Sequence, residues 1–386
     1  MDYLRQSLSF KVRKALRYVR LYGPGRTAVK ARSQYHMERR FDPLPAQREG
    51  RESTRHVGII GCGKFAYAQI AYYLTRSHGR VVRGAMDTDL HRAASLFRRY
   101  GLDYYTDSAA RILDDPRIDL VYIASNHASH AEYAIEALQR GKHVHIEKPH
   151  VVTEDQLLRL CSAMRESEAK VALGFNRPLS RIGLDIKRRL DEESGPSMLN
   201  WFVAGHEIPP DHWYFREEEG GRILGNLCHW TDFVLQLIPA HARFPVTISP
   251  TRGVNADSDI AVTYLFGDGS IAAITFSAKG HTFEGVKERF AAHRGNALVT
   301  MDDFRTLRVD VVAKRHIRRQ RFRDHGHKTA ILRSYALSRP GSSPGVEIPY
   351  VWETGQLFLQ TKVALEEERL VVVERYQPDR PRVASS

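Results

Sequence analysis

The stretch HVGIIGCGKFAYAQIAYYL, residues 56–74, decides the fold of the first half of the chain. Its apolar run VGII is typical of a short strand buried in a parallel sheet. The six residues that follow have the pattern G-x-G-x-x-A. The first glycine permits a tight turn, the second lets a pyrophosphate approach the backbone, and the small last residue lets helix pack on strand. We therefore predict a dinucleotide-binding turn with contacts from Gly61, Gly63, Lys64, Phe65 and Ala66.

An acidic residue lies at the end of the second predicted strand, where a dinucleotide-binding domain has a carboxylate. The next predicted strand, RVVRGAM at 80–86, is followed directly by Asp87. A carboxylate about 20 residues past the glycines binds ribose hydroxyls and repels a 2′-phosphate, so the sequence favours NAD over NADP. A structural turn followed by a solvated aspartate is the alternative interpretation.

Strands and helices continue to alternate after Asp87. We predict strands at 119–125, 142–149 and 170–175, and helices at 130–141 and 153–167. This alternation indicates an open, mostly parallel sheet whose ligands bind beyond the carboxyl ends of the strands. The loops SNHASH and EKP lie at such ends, and GFNRP lies at the domain junction. They supply the other predicted cofactor contacts: Ser125, Asn126, His127, His130, Glu147, Lys148 and Arg177.

The second half of the chain has a different pattern. Short apolar runs separated by turn signals indicate strands joined in hairpins, and a more apolar segment at 217–238 predicts a helix between them. The predicted fold class is α/β, with an N-terminal Rossmann doubly wound parallel sheet and a C-terminal α+β domain that has an open, mostly antiparallel sheet. The predicted domains are a basic arm and linker at 1–54, the Rossmann domain at 55–175, and a substrate-binding and oligomerisation domain at 176–386.

Composition and cysteine content exclude several classes of protein. A length of 386 residues predicts two domains. Three scattered cysteines without a CxxC pair favour a reducing compartment over a disulfide framework. His206, His212 and His229 with Cys228 lack the short spacing of metal ligands, so we expect no metal. No apolar run reaches the roughly 18 residues of a membrane span, so we expect a cytoplasmic protein.

The net charge of +13 is concentrated at the N-terminus. Residues 1–40 hold eleven Lys/Arg and two acidic residues, so the basicity belongs to an arm and we expect no nucleic-acid partner. Apolar residues at helical spacing, ending at GPG, predict a basic amphipathic helix. Two interpretations stay open. The arm packs on its own body or on a sister subunit, or residues 1–22 make a peripheral contact with the inner membrane surface. In both cases we expect NAD binding not to need residues 1–40.

Four motifs carry a family resemblance: GCGKFA, Asp87, HAEYAIEALQRGKHVHIEKP and GFNRP. In this order and spacing they resemble the glucose–fructose oxidoreductase/inositol dehydrogenase (Gfo/Idh/MocA) family. The resemblance implies that Lys148 points at the nicotinamide and the substrate hydroxyl, and that Pro149 is a proline that is often cis. One departure is His127, which stands where the family commonly has asparagine.

The predicted helix departs further from the family pattern. Its segment GRILGNLCHWTD, residues 221–232, resembles the catalytic segment of the family, which implies an acid/base role for His229. Gly225 replaces the family aspartate, and Asn226 stands where similar sequences from polysaccharide loci have glutamate. We predict Lys148 and His229 as the catalytic pair. The predicted substrate contacts are Lys148, Asn176, Trp213, Asn226, His229 and Asp232.

The combined prediction is an NAD(H)-dependent oxidoreductase. It moves a hydride to or from a secondary alcohol of a sugar, sugar derivative or nucleotide sugar, in surface-polysaccharide synthesis. One alternative is a glycoside-cleaving enzyme that keeps and recycles its NAD. Another is a non-catalytic NAD-binding sensor, which Gly225 favours and the intact Lys148 and His229 oppose. The expected partners are the sugar substrate and further copies of the chain, joined through the C-terminal sheet.

Overall fold

The computed structural model describes residues 3–47, 54–205, 208, 211–253, 259–339, 341 and 343–377. The middle of the predicted linker, residues 48–53, and His206 lie outside this described part. Among the helices that are described, none is both long enough and apolar enough to cross a membrane.

The first half of the chain forms a six-stranded parallel sheet with the strand order β3-β2-β1-β4-β5-β6. The predicted doubly wound parallel sheet is therefore confirmed. Its strands are β1 (Val57–Ile60), β2 (Val82–Met86), β3 (Tyr104–Thr106), β4 (Leu120–Ile123), β5 (His143–Ile146) and β6 (Val171–Leu173). The helices that connect them are α3 (Ala71–His78), α4 (Leu90–Tyr100), α5 (Ala109–Leu113), α6 (His127–Gln139) and α7 (Glu154–Glu166).

Local sequence signals explain several of these elements. Every residue of β1, β2 and β4 is buried, because helices cover both faces of a parallel sheet. Strands β1 and β4 are accordingly continuous apolar runs, whereas β2 also buries Arg83, which pairs with Asp103 and Asp115. The Thr153 side chain accepts a hydrogen bond from the Gln156 N–H at 3.1 Å and caps α7. Gly101 ends α4 in the left-handed conformation.

The second half forms a nine-stranded sheet with the order β14-β13-β12-β11-β7-β10-β9-β8-β15. Only the β7–β10 pair is parallel among the described strand pairs of this sheet, so the mostly antiparallel prediction is confirmed. The strands are β7 (Ser197–Ala204), β8 (Val246–Arg252), β9 (Asp259–Leu265), β10 (Ile271–Ser277), β11 (Lys287–Arg294), β12 (Ala297–Asp302), β13 (Thr306–Val311), β14 (Lys314–Arg319) and β15 (Val371–Val373). The helices are α8 (Arg181–Asp191), α9 (Cys228–Leu237), α10 (His327–Tyr335) and α11 (Ile348–Glu367).

One face of this sheet is open and carries apolar side chains. Residues alternate between buried and exposed along β7, β11 and β12, and helices pack on the buried face. The strand register aligns four exposed side chains across five neighbouring strands, with His293 between the first two. This apolar row consists of Leu298, Met198, Ile271 and Leu265, which are 43–63% exposed.

The N-terminal residues form a hairpin of two helices, α1 (Leu8–Tyr22) and α2 (Pro24–Glu38). The GPG motif ends α1 as predicted, with Gly23 at φ +83°, but a second helix begins at Pro24, which the sequence analysis did not predict. Helix α2 buries Val29 and His36 against the Rossmann half. On α1, Leu8 and Leu16 point to solvent, with exposed fractions of 77% and 61%.

The chain returns to the Rossmann sheet after the second sheet is complete. Tyr122 of β4 donates its hydroxyl to the Ile331 carbonyl of α10 at 2.7 Å, and His145 Nδ1 lies 2.7 Å from Ser334 Oγ. Ile331 and Val29 belong to the same apolar core as the Rossmann strands. The boundaries at 54 and 175 remain predictions, and the packing of α2 and α10 crosses both.

Candidate active site

The turn after β1 has the shape that a bound dinucleotide needs. Gly61 has φ +87°, and a Cβ there would lie 2.5 Å from the Ala124 backbone at the end of β4, so the position requires glycine. A Cβ on Gly63 would meet nothing within 4 Å, which leaves the space beside the turn open. Ala66 begins a π-helical turn that leads into α3, and first-turn N–H groups have no intrahelical acceptor. The turn, with exposed Lys64 and half-buried Phe65, fits the pyrophosphate of NAD.

The Asp87 carboxylate lies against this turn. Its Oδ2 accepts a hydrogen bond from the Cys62 N–H at 2.7 Å, and its Oδ1 accepts one from the Asp89 N–H at 2.9 Å. The carboxylate therefore stands where the ribose hydroxyls of NAD bind in this fold. Helix α2 reaches the same turn, since His36 Nε2 donates to the Cys62 carbonyl at 2.6 Å and its Nδ1 accepts from Ser95 Oγ at 2.9 Å.

Lys148 is joined to Pro149 by a cis peptide bond, and His130 lies against the same turn. The ring of His130 lies between two carbonyl oxygens, with Nδ1 2.8 Å from that of Pro149 and Nε2 3.2 Å from that of Ser125. It therefore joins the ends of β4 and β5. Lys148 Nζ extends into the second half of the chain and donates to the Gly225 carbonyl at 2.6 Å.

His127 and Gly225, the two positions that depart from the family pattern, lie against each other. A Cβ on Gly225 would lie 2.7 Å from the His127 ring and 2.7 Å from the Tyr214 ring. The His127 ring is 4.7 Å from the Trp213 ring and 4.7 Å from the Tyr214 ring, between centroids. Burial, with a contribution from Lys148, lowers the pKa of His127 well below its ordinary value. Gly225 thus leaves room for a neutral imidazole, and Lys148 bonds to a backbone carbonyl at that position.

His229 completes the site from the second half of the chain. It lies in the first turn of α9, after a π-helical turn at Ile223–Leu227, and is only 8% exposed. Its Nδ1 has no hydrogen-bond partner among the described residues. Burial lowers the pKa of His229 well below 6.5, and the charges of Arg177 and Lys148 lower it further. A neutral imidazole with a free ring nitrogen near a lysine can exchange a proton with a substrate hydroxyl.

Arg177 is fixed beside His229 by a buried carboxylate. Its guanidinium pairs with Glu288 of β11 and lies over the Trp230 ring, 4.6 Å from the centroid. Trp230 Nε1 donates to the same carboxylate at 2.8 Å, and His325 Nε2 lies 3.2 Å from its other oxygen. Burial alone would raise the pKa of Glu288, but Arg177 and His325 outweigh it and lower that pKa to about 2. The Arg177 guanidinium is therefore held in place by Glu288 and Trp230, and its charge is balanced by that of the Glu288 carboxylate.

The remaining predicted site residues have other partners. Asn176 donates to the His325 carbonyl at 2.6 Å, and the Asn226 Oδ1 is buried with no partner in the described part of the chain. Glu147 Oε1 lies 3.1 Å from His145 Nε2, below the turn that carries Lys148. These side chains contact residues beside the site, at the turn that carries Lys148 and at the domain junction.

Asp232 faces away from Lys148. Its carboxylate is fully buried and accepts hydrogen bonds from Tyr350 and Thr354 of α11 and from Gln236 at 2.8 Å. Burial raises the pKa of Asp232 to about 7, although these bonds oppose the shift. Its contacts join α9 to α11, and its predicted contact with substrate stays a prediction.

Two carboxylates were missed by sequence reasoning. Glu219 caps α6, because it accepts from Asn126 Nδ2 at 2.7 Å and from the Ala128 N–H at 3.3 Å, and its carbonyl oxygen lies 2.9 Å from His127 Nδ1. It belongs to a run of three glutamates, and such a run predicts a solvated segment. Glu288 lies on the buried face of β11, where buried and exposed residues alternate. That alternation is the one signal in the sequence that could have predicted its burial.

Comparison with known proteins agrees with the fold and with an NAD-binding first half. Residues 55–175 match the family model described as "Oxidoreductase family, NAD-binding Rossmann fold". Over 236 residues the chain is 25% identical to scyllo-inositol 2-dehydrogenase (NAD(+)) of Bacillus subtilis (strain 168), which covers 58% of this chain and 68% of that protein. It is 34% identical to inositol 2-dehydrogenase 2 of Saccharopolyspora erythraea over 140 residues, which cover 36% of this chain and 41% of that one.

A solved structure of levoglucosan dehydrogenase in complex with NADH and levoglucosan superposes with a TM-score of 0.71. The alignment covers 83% of this chain and 99% of that chain, at 18% identity. The complete fold of that dehydrogenase is thus present here, together with about a sixth of the chain that has no counterpart in it.

Proposed function

We propose that this protein is an NAD-dependent dehydrogenase, because residues 55–175 match the NAD-binding Rossmann model of the oxidoreductase family and form the corresponding parallel sheet. Its substrate is a secondary alcohol of a sugar or sugar derivative, as in the inositol and sugar dehydrogenases that the chain resembles. One observation carries the proposal. His229 is buried and neutral, and it keeps a free ring nitrogen near Lys148 at the carboxyl edge of the Rossmann sheet.

Each residue of the proposed site has a separate role in alcohol oxidation. Oxidation removes a hydride from the carbinol carbon and a proton from the hydroxyl, and bound NAD supplies the hydride acceptor. In this proposal Lys148 and His229 hold the hydroxyl oxygen from opposite halves of the chain, and its single proton passes to one of these two bases. Arg177, held by Glu288, keeps a fixed charge at the rim. Trp213 offers a flat aromatic surface, and such surfaces suit the apolar face of a sugar ring.

The setting of the reaction is the second part of the proposal. We place the enzyme in surface-polysaccharide synthesis, acting on a nucleotide sugar and making peripheral contact with an anionic membrane. The exposed leucines Leu8 and Leu16 on basic helix α1 support the membrane contact. Sedimentation with anionic vesicles tests it: the wild type should pellet, and Leu8→Ser/Leu16→Ser should stay in the supernatant. A wild type that stays in solution would remove the membrane contact.

The catalytic pair is tested by substitution. NADH formation is measured with a panel of free sugars, sugar phosphates and nucleotide sugars. Lys148→Ala should retain NADH binding and lose roughly 10²–10⁴-fold in turnover, the range that general acid–base catalysis supplies. Lys148→Arg should restore little, because a guanidinium keeps its proton near neutrality. Exposed Lys328→Ala is the matched control and should keep the wild-type rate.

The two residues should not act independently. His229→Ala should also slow turnover, and the double variant should lose less than the product of the single losses, because both residues act on one hydroxyl. Wild-type turnover in Lys148→Ala, on a substrate shown to bind, would contradict the proposed function.

A further inference from the structure

A cavity of about 830 Å³ lies between the helical hairpin and the rest of the molecule. One wall comes from α1 and α2, and the opposite wall from Phe65, Gln69 and Tyr73, which follow one stripe of α3 and the turn before it. The loop at 280–286 and the segment at 323–327 close the remaining sides. Its size is that of sites for small ligands and cofactors, which span roughly 300–1,000 Å³.

The hairpin wall presents cations that lack acidic partners. Lys14 and Lys30 line the cavity, and neither forms an ion pair with any described residue. Arg26 lies between them and the Rossmann half, and it donates only to neutral groups, the Ala68 carbonyl and Gln69 Oε1, both at 2.6 Å. The two other arginines of the cavity differ, since Arg177 and Arg323 are paired with buried carboxylates.

These cations repel one another in a partly buried space. Burial lowers the pKa of Lys30 to about 8, and the nearby charges of Arg26, Lys64 and Lys14 contribute to the shift. Burial and Lys64 also lower the pKa of Lys14. Unneutralised like charges reduce the stability of the folded chain unless an anion joins them. The arrangement therefore indicates a ligand that brings negative charge.

The opposite end of the cavity adjoins the candidate catalytic histidine. Arg177, His325 and His327 line the cavity, and the charges of all three also act on His229. Asn176, at the domain junction, donates to the His325 carbonyl and lies 3.3 Å from His327 Nε2. Arg177 thus links the two sites, because it lines the cavity and its charge acts on His229.

We propose that this cavity is the substrate-anchoring site, and that it binds a phosphate or diphosphate group through Lys14, Arg26 and Lys30. The inference rests on the proposed function, and it narrows the substrate to a phosphorylated sugar or a sugar joined to a diphosphate. The sugar lies at the His229 end, and the anionic group lies at the hairpin end. The anchoring residues precede residue 55, where the match to the NAD-binding family begins, so they are an addition to the conserved dehydrogenase fold.

The test measures binding apart from turnover. The full-length protein is saturated with NADH, so that the cofactor turn is filled, and is titrated calorimetrically with inorganic pyrophosphate. Lys14→Gln/Lys30→Gln should weaken binding at least tenfold. Arg13→Gln/Arg20→Gln removes the same charge from exposed positions of the same hairpin and should bind as the wild type does. The lysine variant should melt no lower than the wild type, because it removes a repulsion.

The probes distinguish the source of the anion. Uridine diphosphate that binds more tightly than pyrophosphate supports a nucleotide-linked sugar, and equal affinities support a sugar phosphate or another sugar diphosphate. Absence of pyrophosphate and uridine diphosphate binding in the wild type overturns the proposal, as does equal binding by the lysine variant and the arginine control.

The same data separate this proposal from the dehydrogenase function. Hairpin-dependent pyrophosphate binding with no oxidation of any sugar would leave the cavity site standing and remove the dehydrogenase. Oxidation of a neutral sugar, unaffected by Lys14→Gln/Lys30→Gln and with no pyrophosphate binding, would leave the dehydrogenase standing and remove the cavity site.

Discussion

At the scale of single residues, His229 is prepared for proton transfer by what surrounds it. Its burial and the neighbouring charges of Arg177 and Lys148 disfavour the imidazolium, so the lowered pKa keeps the ring neutral at physiological pH. A base must be unprotonated to accept a proton, and protonation on the acidic side should switch it off.

We therefore expect the acidic limb of the kcat/KM profile to lie below pH 6.5. The sign follows from the shift: the pKa of His229 is lowered, so the active neutral form persists as the pH falls past the ordinary imidazole value. The measurement is kcat/KM from pH 5 to 8 with a substrate found in the panel. An acidic limb at or above pH 6.5 would contradict this assignment.

Gly225 is a packing position as well as a departure from a pattern. Gly225→Ala should destabilise the protein by about 1–3 kcal/mol, the usual range for overpacking, because its Cβ would lie 2.7 Å from His127 and from Tyr214. His127→Ala/Gly225→Ala should recover part of that loss. Urea unfolding measures both. Gly25→Ala is the control, because a Cβ there meets nothing within 4 Å and alanine favours the helix.

At the scale of elements, the hairpin is part of the structure that holds the cofactor turn. The sequence alone led us to expect that residues 1–40 are not needed for NAD binding. His36 of α2 donates instead to the Cys62 carbonyl within the glycine-rich turn, and its ring stacks on Tyr67 with centroids 4.4 Å apart. Truncation would remove Val29 and expose its apolar neighbours on the Rossmann half.

Deletion of residues 1–40 should lower the Tm and weaken NADH binding. His36→Ala is the milder variant and should cost about 1–3 kcal/mol, because it leaves the Cys62 carbonyl without its donor. Thermal melting and NADH fluorescence titration measure the two effects. Exposed Tyr35→Ala on the same helix should change neither. A truncated chain with wild-type Tm and NADH affinity would restore the view of a dispensable arm.

How far the sequence predicts each element depends on whether its signal is local. The buried strands and the glycine turn have local signals, and both were predicted. Helix α2 was missed because GPG was interpreted only as an end, although Pro24 is also suited to the first position of a new helix. The roles of Glu219 and Glu288 depend on partners about 90 and 110 positions away, which no local pattern shows.

At the scale of the whole molecule, the open face of the second sheet is an apolar surface that remains exposed in the described part of the chain. The apolar row crosses five strands, and single exposed apolar residues are ordinary while contiguous ones mark interaction surfaces. We propose that a second copy of the chain covers this face, as the sequence prediction had it.

Light scattering after size exclusion should show an assembly larger than one chain. Met198→Arg/Leu298→Arg places charges at the centre and at one end of the row and should yield the 44.1 kDa monomer. Leu184→Arg on α8, away from the open face, should leave the assembly unchanged. A wild-type protein that elutes and scatters as a monomer at micromolar concentration would contradict an interface here.

The contact between His127 and Gly225 also bears on ancestry. An aspartate at position 225 would put its Cβ 2.7 Å from both the His127 ring and the Tyr214 ring, so a direct change to that residue carries the cost of moving both rings. Smaller side chains at 127 and 214 would lower that cost. The order of substitutions therefore matters: a carboxylate at 225 is accommodated more readily after those rings have changed than before.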